Sequence, residues 1–280
     1  MEKKNIDEKD IMEYLQTHGD FALEMLVYKK ALDNNFLVSH GGIYFDPNTK
    51  KTRQFDLRAT YIRGTYRIAL AIECKNLKKS SPLIVSRMKR KEEGSFHNYI
   101  RSKYPDSSRA IPNFYNNCVV SLDGDKTIYK VGEYVGKSMD QIQRKNKNEF
   151  SSNDSEVYDK WMQATTSASK LVDVSYDLSQ SRGDFILSII IPVLVVPDET
   201  LWVVNYLDDG TVFGEPKQVN EVEYFINTEY KNPYNPVNPE YHISHLHIFT
   251  KKGISDWLYK IAHEERYWWL LFFDVSKLMR

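Results

Sequence analysis

The sequence predicts a mixed α/β (α+β) fold in which a central mixed sheet is flanked by helices. Three observations carry that expectation. Apolar residues recur at helical spacing in residues 20–32, 154–174 and 253–273. Between these stretches lie short alternating or continuously apolar runs bounded by turn residues, notably 53–62, 66–74 and 185–196. The composition, 41% hydrophobic and 27% charged, is that of an ordinary globular protein and excludes a disordered or collagen-like chain.

The elements follow in order. The opening MEKKNIDEKD is charged and has no apolar core, so no signal peptide is expected. Phe21, Leu23, Leu26, Val27 and Leu32 mark a helix that stops at Asn34-Asn35. Residues 36–45 read as a strand that Gly41-Gly42 kinks or bulges, and Asp46-Pro47-Asn48-Thr49 is turn chemistry. Residues 53–62 form a second strand, Arg63-Gly64 a turn, and 66–74 a third strand. Ile68, Leu70, Ala71 and Ile72 make that third strand apolar enough to be central. Residues 83–85 read as a short fourth strand. Residues 87–150 mix charged and Asn/Ser/Gly-rich pieces with short apolar ones and read as an insertion or mobile lobe. Val157, Trp161, Ala164, Ala168 and Leu171 predict a helix over 154–174, and 185–196 a buried strand. Residues 201–207 and 211–213 form a hairpin about Asp208-Asp209-Gly210, 245–250 a strand, and 253–273 a final helix. The aromatic end of that helix, from Tyr267 to Phe273, is apolar on all sides and is expected to be buried. The expected organisation is a single domain over 1–280, with core motifs in 20–86, the insertion at 87–150, and the remaining sheet and helices in 151–280. No apolar run approaches the ~20 residues of a membrane span. Cys74 and Cys118 give no disulfide framework, so a soluble cytoplasmic protein is expected.

A net charge of zero conceals an asymmetry. Residues 1–150 carry 27 Lys and Arg against 19 Asp and Glu, whereas residues 151–280 carry 11 against 19. Between Lys51 and Lys91 there are 12 basic residues and only two acids, Asp56 and Glu73. Such a field attracts a polyanion such as nucleic acid, although a solvated basic face has the same composition.

The two lone acids sit in Gln54-Phe55-Asp56-Leu57 and Ile72-Glu73-Cys74-Lys75. Strand periodicity puts Glu73 and Lys75 on one face and Cys74 on the other. Folding about the centre of Arg63-Gly64 pairs residues whose numbers sum to 127. That sets Asp56 opposite residue 71, two steps from Glu73, so the carboxylates can meet near one end of the hairpin. Two carboxylates on adjacent strands suit a hard cation such as Mg²⁺ or Mn²⁺, and a neighbouring lysine can orient a metal-bound water. The plainer alternative is a hairpin with surface carboxylates and a salt-bridging lysine. Against it, Glu73 and Lys75 end a very apolar strand, where charge is costly unless partnered.

With these residues in view, the stretch 20–75 resembles the core of the PD-(D/E)XK nuclease superfamily, the restriction-endonuclease-like proteins. That core is a helix, three strands with a hairpin, an Asp near the start of one strand and a Glu-X-Lys on the next. Asp56 and Glu73-Cys74-Lys75 match it, with Phe55 in place of the family's Pro. Glu24 stands where many members carry a helical glutamate. The resemblance implies an endonuclease that hydrolyses DNA phosphodiester bonds with Mg²⁺ or Mn²⁺, in bacterial restriction or anti-phage defence. Its metal would be held by Asp56, Glu73, the Cys74 backbone carbonyl and Glu24, and Lys75 would position the nucleophile. Expected partners are double-stranded DNA, a second copy of the chain and a regulatory protein, with no membrane. Lys78, Lys79, Arg87, Lys89, Arg90 and Lys91 are the expected phosphate contacts. Gln143 is a further candidate DNA contact, in a stretch that otherwise reads as a polar helix surface. Two alternatives stand beside the nuclease: a non-catalytic nucleic-acid-binding or assembly subunit on a nuclease-like fold, and an unrelated interaction protein with an acidic second half. His242, His245 and His247 are expected to be packing or surface residues, because no Cys or carboxylate completes a metal set with them.

Overall fold

The charged N-terminal residues build a helix of their own. Asp7 caps α1 (Glu8–His18) through a reciprocal capping box with Asp10. The computed structural model describes residues 5–46, 49–102, 117–152, 155–176, 185–230 and 240–278. In α2 (Phe21–Asp33), Leu23, Val27 and Ala31 are buried at four-residue spacing. There follow β1 (Leu37–His40), β2 (Ile43–Asp46), β3 (Lys51–Gln54), β4 (Leu57–Arg63) and β5 (Tyr66–Cys74). Next come β6 (Leu83–Lys89), β7 (Phe96–Ser102), β8 (Asn117–Asp123), β9 (Tyr134–Asn146) and β10 (Glu149–Ser152). The long helix α3 (Ser155–Tyr176) leads to β11 (Ile186–Val196), β12 (Leu201–Tyr206), β13 (Val212–Gln218), β14 (Glu221–Tyr230) and β15 (Tyr241–Thr250). Helices α4 (Lys251–His263) and α5 (Glu265–Leu278) close the chain.

The fold is mixed α/β. Among the described residues, thirteen strands form one sheet, in the order β1-β4-β5-β11-β15-β14-β9-β6-β12-β13 with β7, β8 and β10 attached to it, and β2 and β3 form a separate hairpin. The β-branched run of β11 sits at the centre, parallel to β5 on one side and to β15 on the other, and every one of its residues is buried. Pro192 inside this strand has a physical explanation. On the side away from β5, β7 pairs only residues 186–188 and β15 only residues 193–196, so a residue without an N–H falls in the gap between two ladders. The Ile190 N–H in the same gap donates to the Tyr241 hydroxyl at 3.4 Å.

Helices cover both faces. On one, α2, α4 and α5 bury Val27, Trp257, Trp268 and Phe272 against Leu70, Ile72 and Val193. On the other lies α3, with Val157 and Ala164 against Leu194 and Leu246, and Ala168 and Val172 against Ala69, Ala71 and Ile190. The small Ala69 and Ala71 give the helix room to approach β5.

Several expectations change. Of residues 87–150, read as an insertion or mobile lobe, β7, β8, β9 and β10 pair into the main sheet; the piece 104–109 lies outside the described residues. The stretch around Gln143 is strand β9 rather than helix, paired with β6 over its first part and with β10 over its last. The expected strand 36–45 breaks at Gly41-Gly42, and its second half leaves the sheet to pair with β3. The expected strand 53–62 breaks at Phe55-Asp56. Residues 253–273 form two helices that meet at Glu264, and α5 buries Trp268 and Leu271 but leaves Trp269 and Leu270 exposed. Among the described residues, no helix is long and apolar enough to cross a membrane.

Candidate functional site

The site forms where β4 and β5 meet α3. Arg63 pairs with Tyr66, which leaves Gly64 and Thr65 as the turn, and Gly64 has the positive φ (60°) that such a turn needs. The register is therefore shifted from the one expected. Leu57 pairs with Ile72, and one further step brings Asp56 level with Glu73 rather than with residue 71. Asp56 sits in the bend just before β4. Its Oδ2 accepts the Cys74 N–H at 2.8 Å, and its own N–H donates to Glu73 Oε1 at 3.3 Å. Side chain and backbone thus hold the two carboxylates together, with Glu73 fully buried and Asp56 8% exposed. Burial pushes the Glu73 carboxyl well above the usual range, and the Asp56 charge adds to that.

The cation between them comes from α3. Lys160 lies three residues after Val157 and four before Ala164, so it shares their inward stripe. Its Nζ is 2.8 and 3.1 Å from the Asp56 oxygens and 3.5 Å from Glu73 Oε2, with Asp20 Oδ2 at 4.0 Å. Burial alone would lower its pKa; Asp56 and Glu73 outweigh burial and hold it above that of an ordinary lysine.

Lys75 shares the face of Glu73, as strand periodicity requires, but its ammonium is held by other groups. It lies 2.8 Å from Glu156 Oε2 on α3 and 3.8 Å from Asp20 Oδ2. Asp20, ahead of α2, also accepts the Asn76 N–H at 2.7 Å, which ties that helix to the end of β5. Cys74 points to the opposite core, where burial first, then Asp56 and Glu24, push its thiol well up. Glu24 does not join the carboxylate pair: its Oε2 lies 3.0 Å from His40 Nε2 on β1.

The donor set fits a hard cation. Two carboxylates already converge on one positive charge, and Mg²⁺ is commonly held by one or two carboxylates with water completing its shell. Among the described residues, no three His, Cys, Asp or Glu side chains are arranged to hold a metal ion, so Asp56 and Glu73 are the side-chain complement.

The basic residues expected to line this site are dispersed. Between β5 and β6 in the sheet lie β11, β15, β14 and β9, so Arg87 and Lys89 do not extend the Asp56–Glu73 hairpin. Arg90 is 1% exposed, with Glu223 and Glu133 as partners, and offers nothing to a phosphate. Burial pushes Glu223 up to about 7 in spite of that arginine. Arg87 donates to Asn205 at 3.0 Å, and Lys79 pairs with Glu199. Lys78, Lys89, Lys91 and Gln143 have exposed side chains. His245 and His247 are buried packing residues: His245 stacks on Tyr129 at 3.7 Å, and His247 Nε2 is 2.9 Å from the Tyr129 hydroxyl.

Asp20, Glu156 and Lys160 were not legible as site residues. Lys160 did leave a signal, as a charged side chain at helical spacing between the apolar Val157 and Ala164. Comparison with known protein families, curated proteins and solved structures gives no match, so the site is read from its own geometry.

Proposed function

We propose that this chain is a divalent-metal-dependent nuclease that hydrolyses DNA phosphodiester bonds. The observation that carries this reading is the convergence of Asp56 and Glu73 on a single cation position, with Lys75 on the same face. The order of parts supports it: a helix, the β1-β4-β5 meander, an Asp ahead of one strand and Glu-X-Lys ending the next, as in the PD-(D/E)XK superfamily core. Asp56 and Glu73 would hold Mg²⁺ or Mn²⁺, with the Cys74 carbonyl as the backbone ligand. Glu24 is left out of the set because His40 engages it. When bound, the metal offsets charge on the phosphodiester and lowers the pKa of a water. Lys75 then orients the attacking water or the phosphate beside it. A role in bacterial restriction or anti-phage defence follows from the likeness to that superfamily.

A second reading has an observation of its own. With Lys160 between them, Asp56 and Glu73 already share a cationic partner, as they would in a non-catalytic, DNA-binding protein on a nuclease-like fold. Incubation with supercoiled plasmid separates the two. The nuclease nicks it with Mg²⁺ or Mn²⁺ and stops with EDTA; binding without nicking under every metal condition favours the second.

A further inference from the structure

Each charged member of the Asp56, Glu73 and Lys75 set is engaged by one turn of α3. Lys160 spans the two carboxylates, and Glu156, four residues earlier on the same helix face, holds Lys75. Both α3 residues can leave without unfolding the helix. Glu156 is 59% exposed at its side chain, Lys160 retains 17% exposure, and a lysine stem is long enough to swing its ammonium toward solvent.

We propose that Lys160 is the resident cation of this site: its ammonium occupies the position a divalent metal would take, and metal enters only as Lys160 withdraws. This rests on the metal-dependent reading above and adds a regulatory element to it. A monovalent point charge touching both carboxylates competes directly with a divalent ion for the same oxygens, since the two cations cannot share so small a space. Metal affinity is then set by exchange, and without metal Asp56 and Glu73 share the Lys160 ammonium. The contact between Lys75 and Glu156 extends the same arrangement. While Lys160 is seated, α3 also occupies the ammonium that would serve the water.

The test measures Mn²⁺ binding to the full chain by calorimetry and by the electron paramagnetic resonance of free Mn²⁺, without reference to cleavage. Lys160→Met keeps the stem and removes the charge. It should bind Mn²⁺ more tightly than wild type by about tenfold or more, whereas Lys160→Arg should not. A folded Lys160→Met that binds Mn²⁺ as wild type does, or more weakly, overturns the proposal and leaves the metal-dependent reading standing. Wild type and variant that both fail to bind Mn²⁺ overturn that reading, and the proposal with it. A second measurement needs no variant. Acylation of Lys160 in the wild-type chain, followed by peptide mass spectrometry, should rise several-fold when Mn²⁺ is added. Labelling that stays constant while Mn²⁺ is bound overturns the exchange.

Discussion

Two lysines from different elements stand at the same site, and they are held differently. Lys75 is bound by Glu156 and Asp20, whereas Lys160 touches Asp56 and Glu73 themselves. If Lys75 orients the nucleophile, Lys75→Ala should lower turnover by about a hundredfold while DNA affinity stays within about twofold. Single-turnover cleavage and a binding isotherm on the same preparation would show it. Equal losses in both would make Lys75 a simple phosphate contact. Asp56, Glu73 and Lys75 were legible because two of them end a strand of Ile, Leu and Ala, where charge demands a partner. Lys160 was not, because its partners lie 87 and 104 residues away in sequence and only the packing of α3 on β5 brings them together. Glu24 shows the converse: helical position alone did not reveal that His40 on the neighbouring strand engages it.

Among the elements, the two most apolar strands, β5 and β11, stood out in the sequence because helices bury them on both faces. Breaks were harder to read. Phe55-Asp56 ends a strand without any Gly or Pro, since the Asp56 side chain turns to bond the Cys74 N–H. Helix α4 begins at a close approach. Its cap Thr250 accepts from the Gly253 N–H at 3.2 Å, and a Cβ on Gly253 would lie 2.0 Å from the Asn220 carbonyl oxygen. Gly253→Ala should therefore destabilise the chain by about 1–3 kcal/mol, read from urea unfolding; unchanged stability would mean that the α4 start is free to shift. Strand β15 carries a pH dependence. Burial, with Arg90 adding to it, depresses His247 to about 3. A histidine kept neutral in the fold contributes stability that is present above its ordinary value of 6.5 and is lost as pH falls toward 3. At pH 5.5 that loss is about 1.4 kcal/mol. Glu223, raised to about 7, works in the opposite direction, so the comparison is made against a variant. The change in stability between pH 7 and 5.5 should differ by about 1 kcal/mol between wild type and His247→Gln. Parallel pH profiles would remove His247 as the cause.

At the scale of the whole molecule, part of the basic excess of the first half is turned into the fold, while many of its lysines stay exposed. Arg53 pairs with buried Asp46, Arg58 stacks on Phe55, Arg67 donates to Ser175 and Arg90 meets Glu223. Composition could show the excess but not which charges the sheet turns inward. Arg90→Glu should destabilise the chain by about 3–5 kcal/mol, because it sets like charges together in a buried pair. Lys89→Glu with Lys91→Glu, both exposed, should stay within about 0.5 kcal/mol of wild type in thermal unfolding. A mild Arg90→Glu would contradict the buried pairing. If the proposed nuclease cuts both strands of a duplex, a single metal site per chain calls for two copies on the same DNA.

The central claim is that Asp56 and Glu73 act as a pair that holds a divalent ion for phosphodiester hydrolysis. Nicking of supercoiled plasmid in Mn²⁺ by wild type, Asp56→Asn and Glu73→Gln tests it most directly, with thermal unfolding confirming that each chain is folded. The expected result is nicking by the wild type, abolished by EDTA, and a loss of about a hundredfold or more in each folded variant. Nicking by either folded variant at the wild-type rate would contradict the claim.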